Sequence, residues 1–166
     1  MTFRRLRLAS PALALALLAG CGAFRHHTEL DCMERAMYFE SNRSSRDGMV
    51  AVGSVVMNRV QSGDYPRSVC GVVGQRGQFA PGVMSKRMQM NTAPMIPEVA
   101  RSVLAGERHP LIGNAKFFHT AGYRARYTNM HYVLVTGGNA FYERRDRADV
   151  TQPVPPGALE GLTGWR

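Results

Sequence analysis

The sequence predicts a single α+β domain, mainly α, with a small C-terminal β-hairpin. Three observations carry that prediction. Apolar residues recur at helical spacing between residues 28 and 60, a proline opens a third apolar stripe at residue 97, and the last third of the chain turns to short apolar runs around Gly137-Gly138-Asn139. Ahead of these, Arg4, Arg5 and Arg7 precede the apolar stretch Leu13 to Leu18 and then Leu18-Ala19-Gly20-Cys21, the layout of a secretory signal peptide. So short an apolar run does not comfortably cross a hydrocarbon layer of roughly 30 Å, so cleavage is expected and residues 1–20 are set apart from the fold.

Leu-Ala-Gly-Cys also resembles the bacterial lipobox, which makes Cys21 the expected acylated first residue of a mature lipoprotein. Gly22 follows it, where an aspartate would suggest retention in the inner membrane. The expected location is therefore the cell envelope, anchored in the outer membrane and facing the periplasm. Residues 21–27 read as the lipidated tether, 28–147 as the folded domain and 148–166 as a Pro- and Gly-rich tail. The mature chain of about 145 residues suffices for one core and not for two domains of ordinary size.

Thr28, with Asp31 three residues on, opens a first helix running to about Phe39. Leu30, Met33 and Met37 form its apolar face. After the polar break Ser41 to Ser45, a second helix is expected from about Asp47 to Val60, with Met49, Val52, Val56 and Val60 apolar and Ala51, Gly53 and Ser54 small. Ser62-Gly63-Asp64-Tyr65-Pro66 ends it, and a loop-rich middle follows through Gly74, Gly77, Pro81 and Gly82. Pro97 suits the first turn of a third helix, carrying Val99, Ala100, Val103 and Leu104 and closing at Gly106. Ala115 to His119 reads as a short strand. Tyr132 to Thr136 and Ala140 to Glu143 read as a hairpin, and the tail after Arg147 as a loop.

The net charge of +9 includes the three leader arginines; the 18 remaining Lys and Arg residues against 12 Asp and Glu leave +6 on the mature chain. That favours an anionic partner, and export makes nucleic acid an unlikely one. With Cys21 assigned to the anchor, Cys32 and Cys70 remain as an even pair in an oxidising compartment, where a structural disulfide is expected. No CxxC, HxxxH or HExxH spacing occurs, so no metal site is expected, and no cofactor is implied.

One polar residue interrupts the apolar logic. Glu40 lies seven residues after Met33 and three after Met37, so it continues the core-facing stripe of the first helix. Burial disfavours the charged form of a carboxyl, which raises its pKa toward the range a general acid needs. A partnered structural carboxylate is the other use for such a residue.

Tyr38-Phe39-Glu40 followed by Gly48-Met49-Val50-Ala51-Val52-Gly53-Ser54-Val55-Val56-Met57-Asn58-Arg59-Val60, then Pro66 to Val73 with Gly77-Gln78-Phe79, then Phe117-Phe118-His119, then Gly137 to Tyr142, resemble in order the blocks of the SleB-type cell wall hydrolases. That family includes spore cortex-lytic enzymes and Gram-negative relatives, and the resemblance spans about residues 30 to 143. It implies a lysozyme-like, lytic-transglycosylase-like fold and a site for peptidoglycan glycan strands built around Glu40. It also implies lytic transglycosylase chemistry for at least some members, one carboxyl serving as acid and then as base. Gln78 and Phe79 are expected in the cleft as a polar contact and an apolar floor, His119 as a further substrate contact, and Tyr142 as a hydrogen-bond partner. Phe79, Phe118 and Phe141 also suit a plain core, and Asn58 and Arg59 suit the end of the second helix, capping its dipole and completing its packing.

The chain departs from the family pattern at Ser44, where a second acid is usual, and at Asn139, where a histidine is usual. The Trp-containing segment after Phe-Phe-His is replaced by Tyr123 to Tyr127, a basic stretch with Arg124 and Arg126. These departures keep a second reading open, a weak or silent peptidoglycan-binding lipoprotein of the same fold. Muramidase-type hydrolysis is a third, although it normally uses a second carboxylate. A zinc amidase is disfavoured by the missing ligand spacing, and a Cys peptidase by the expected pairing of its cysteines. Nothing in the sequence indicates whether a protein activator takes part.

Overall fold

A computed structural model describes residues 27–43 and 45–164; the expected leader at 1–20, the lipidation site Cys21 with most of its tether, and Ser44 lie outside the described residues. Thr28 caps the first helix as expected, its side chain accepting from the Asp31 N–H, and α1 runs Glu29–Glu40. Ser45 caps α2, Arg46–Ser62, through the Gly48 N–H at 2.9 Å, and Gly63 ends that helix in the left-handed region at φ 79°. The loop-rich middle contains a short α-helix that periodicity did not suggest, α3, Val69–Val73, capped by Ser68, and a 3-10 turn at Met90–Thr92. The third expected helix is α4, Ile96–Leu104, with Pro97 in its first turn.

The strands are β1 (Phe117–Thr120), β2 (Met130–Thr136) and β3 (Asn139–Arg144), in an antiparallel sheet of order β1-β3-β2. Gly137 and Gly138 form the two-residue turn between β2 and β3 at φ 56° and 79°, as a turn with two positive-φ positions requires. β2 carries an irregularity between Tyr132 and Leu134. One face of the sheet sends Leu134, Phe141 and Phe118 into the helical core, and Met130, Tyr132, Val135, Ala140 and Tyr142 make a second, smaller cluster with Phe117.

The core is formed where α1, α2 and α4 meet. Met33 and Met37 are fully buried against α2, and burial of side chains this size contributes about 1.5–3 kcal/mol each. Gly53 admits them: a Cβ there would lie 2.6 Å from Met37 Cε and 3.1 Å from Val103 Cγ1. The β2–β3 turn approaches α2 as closely, here with backbone, since a Cβ on Gly48 would lie 2.6 Å from the Gly137 Cα. Cys32 and Cys70 form the expected disulfide, Cα–Cα 5.1 Å, tying α1 to α3.

The tail is a loop apart from a 3-10 turn at Arg147–Asp149, and it lies along the domain. Tyr132 N–H donates to the Gln152 carbonyl at 2.9 Å, and Leu159 N–H to that of Val135 at 2.9 Å. Glu160 accepts from Gly137 N–H at 2.7 Å and Ser45 Oγ at 2.6 Å. Buried Asp47 accepts from the N–H groups of Leu162 and Thr163 and from the Thr163 hydroxyl.

Candidate active site

The last residue of α1 opens onto a cleft of about 570 Å³ lined by Glu40, Arg59, Gly77, Gln78, Phe79, Phe118, His119, Thr120, Tyr123 and Asn139. Four of the residues singled out in the sequence, Glu40, Gln78, Phe79 and His119, therefore meet in one concavity although they come from α1, the segment after α3, and β1. Among the described residues Glu40 is the one acid lining it.

Glu40 is half-buried, with one carboxyl oxygen accepting from the Ala80 N–H. Burial pushes its pKa above the usual carboxyl value, while the Ala80 N–H and the Arg59 charge pull the other way without cancelling it. Its main-chain carbonyl, at the end of α1 where no intrahelical donor remains, accepts from Asn139 Nδ2 at 2.6 Å. Asn42 N–H donates to the Gly137 carbonyl at 3.2 Å, so the hairpin turn grips the end of α1 at two points.

Phe79 is buried and meets Phe118 edge-on at 6.5 Å between ring centres, and Gln78 is exposed beside it. His119 Nδ1–H donates to the Thr120 carbonyl at 2.9 Å, which leaves Nε2 to accept from the Tyr132 hydroxyl at 2.8 Å. Both ring nitrogens are thus engaged, and what His119 offers the cleft is its ring. Tyr123 packs against that ring at 5.4 Å and is 59% exposed. Tyr142 is not among the cleft-lining residues, nor among the hydrogen-bond partners found for Glu40; it lies one layer behind, stacked on Phe117 at 5.4 Å and against His119 at 5.7 Å. Tyr142 pairs with Phe117 and shares its sheet face with His119, but it lies further along the strands from the Thr120–Asn139 end that borders the cleft.

Arg59, expected to cap the end of the second helix and complete its packing, does stand buried in the last turn of α2, but it also lines the cleft, a part the sequence reading did not give it. It is 3% exposed. Its Nε donates to the Lys116 carbonyl at 2.8 Å, and its guanidinium lies 5.2 Å from the Tyr65 ring centre and 5.3 Å from that of Phe79. A signal was available: Arg59 lies seven residues after Val52 and three after Val56, on the core-facing stripe of α2, as Glu40 does on α1. Asn58 has a structural part, donating to the Gly113 and Ala115 carbonyls at 2.9 and 3.0 Å.

A family model described as Cell Wall Hydrolase matches residues 43–142, more than half of the chain and beginning just after Glu40. The structure is similar to the catalytic domain of the germination-specific lytic transglycosylase SleB from Bacillus anthracis, at 22% identity and a TM-score of 0.58, over 72% of this chain and 98% of that one. It is similar to the catalytic domain of the Bacillus cereus SleB protein at 22% identity and a TM-score of 0.58, over 72% and 94% of the two chains. At such identity the likeness speaks for the fold, and the lysozyme-like architecture expected from the motifs is the one observed. No curated protein matches the chain.

Proposed function

Because this chain belongs to the cell wall hydrolase family, with the peptidoglycan-cleaving activity that membership supports, we propose that it cuts the N-acetylmuramic acid–N-acetylglucosamine backbone as a lytic transglycosylase. Glu40 is the general acid and then the base. The observation that carries this is a half-buried carboxyl of raised pKa as the single acid among the described cleft-lining residues. Hydrolytic glycosidases normally add a second carboxylate, about 5–5.5 Å away when retaining and roughly 6.5–9.5 Å when inverting.

The Glu40 proton passes to the glycosidic oxygen as the bond from that oxygen to the anomeric carbon breaks. The carboxylate left behind then takes the proton of the muramic 6-hydroxyl as its oxygen bonds to the same carbon. A 1,6-anhydro end results, no water is consumed, and Glu40 ends protonated as it began. Gln78 supplies a polar contact to the sugar, Phe79 the apolar floor, and the rings of His119 and Tyr123 a side wall. Exported through its leader and acylated at Cys21, the enzyme would meet its substrate from the inner face of the outer membrane.

The test is digestion of sacculi by soluble residues 22–166, wild type beside Glu40→Gln, with the released muropeptides identified by liquid chromatography and mass spectrometry. The expected result is anhydro-ended products that fall at least about a hundredfold in the variant, the scale of a lost general acid. Reducing ends would replace transglycosylation by hydrolysis, and full activity in Glu40→Gln would remove Glu40 from the chemistry. Binding to sacculi with no products from either protein would favour a silent binding lipoprotein.

A further inference from the structure

Arg59 is costly where it stands. A guanidinium taken out of water loses hydration that only good partners restore, and burial pushes the Arg59 pKa below its ordinary value. Its Nε is satisfied by Lys116, and the Tyr65 and Phe79 rings confine the group, yet the buried Nη1 meets no acceptor among the described residues. Among the described residues no carboxylate forms an ion pair with it. The cleft wall thus holds a rigid, buried positive charge, and the one described acid lining that cleft is Glu40.

We propose that Arg59 is a positioning residue for Glu40, a fixed counter-charge that steadies the carboxylate between its two proton transfers. This deepens the acid-then-base reading of Glu40 and rests on it. A carboxyl that gives up a proton and then takes one needs its neutral and ionised forms close in free energy. Burial alone favours the neutral form. A cation a short way off in a medium of low dielectric favours the ionised one without touching it, and so leaves the carboxyl oxygens free for substrate. The other charged or titratable groups around the pair are His119 and Tyr123 in the cleft, and Tyr65 and Tyr142 beside Arg59. His119 has both ring nitrogens engaged within the sheet. Arg59 is the group in this set that is charged throughout the working range.

The experiment follows the Glu40 side-chain carboxyl by carbon NMR through a pH titration in the wild-type protein, Arg59→Gln and Arg59→Lys. The Gln variant should raise the Glu40 midpoint by about one pH unit, tenfold in proton affinity, and Lys should restore at least half of that. In Arg59→Gln the alkaline limb of kcat/KM should move upward with it, while KM stays within about twofold. An unmoved midpoint, or a Lys variant displaced as far as Gln, overturns the proposal. Should Arg59→Gln fail to fold, the Arg59 guanidinium nitrogens of the wild type should still titrate with the Glu40 midpoint and become flat in Glu40→Gln; a flat wild-type response overturns it equally. The titrations use no substrate, so a failure here leaves glycan cleavage standing, and inactivity toward sacculi leaves the titration readable.

Discussion

The disulfide offers a test with a calculable size. Cys32 and Cys70 close a loop of 38 residues that contains the end of α1 and all of α2. In the chain-entropy account such a cross-link lowers the entropy of the unfolded chain by about 13 cal/mol/K, or about 4 kcal/mol at 25 °C. Replacing both cysteines by alanine also empties the space of the fully buried Cys32 sulfur, adding about 1 kcal/mol. The expected loss is therefore about 4–5 kcal/mol, which for a domain of this size lowers Tm by roughly 12–20 °C. Urea unfolding of the double variant and of the wild type, with and without reductant, measures it. The m-value should rise as well, because an uncrosslinked chain exposes more surface. A loss below about 1 kcal/mol would refute the reasoning and mean that the unfolded chain holds these segments together without the bond.

Gly48→Ala should be far more harmful than Gly53→Ala, because the added methyl meets the Gly137 backbone in the first case and the flexible end of Met37 in the second. Thermal melts should separate them by at least about 2 kcal/mol. Asp47→Ala removes the acceptor of three tail hydrogen bonds at a site 2% exposed, and should cost about 2–4 kcal/mol. Limited proteolysis should then cut within residues 150–164, where the wild type resists. Burial holds His109 below its ordinary 6.5, against the opposing charges of Asp47 and Glu160. The unfolded chain therefore binds a proton that the folded one refuses, and stability falls as pH drops from 6.5 toward the folded pKa. Urea titrations between pH 7.5 and 5 should show a steeper loss in wild type than in His109→Gln.

Much of this was legible because it depends on local chemistry. Thr28 and Gly63 mark helix ends by donors, acceptors and φ, and Gly137-Gly138 marks a turn that few other residue pairs can make. Helix α3 was missed because five residues give too short a window for periodicity, and its start depends on a Ser68 cap that resembles loop chemistry. Glu40 was found as a polar residue on an apolar stripe. Arg59 satisfies the same criterion and was set aside because its place near the end of α2 gave it a simpler use. Tyr142 was assigned to Glu40 by resemblance, whereas its distance along β3 from the cleft end follows from the β1–β3 register, a long-range property that no local pattern carries.

Asn139 shows how the parts bear on one another. It stands where the related pattern has a histidine, and its amide donates to the main-chain carbonyl of Glu40. That carbonyl belongs to the exposed end of a helix dipole, so the bond fixes the direction in which α1 delivers its last side chain. The turn carrying Asn139 is itself pressed against Gly48 and held by Glu160 of the tail. The tail thus holds the same turn that holds the end of α1, and no tail residue is among those lining the cleft. A charged histidine at position 139 would place a second cation beside Glu40 and Arg59 and pull the Glu40 pKa down; an amide holds the same helix end without that effect. The substitution therefore keeps the geometry of the acid and leaves its charge balance to Arg59 and burial.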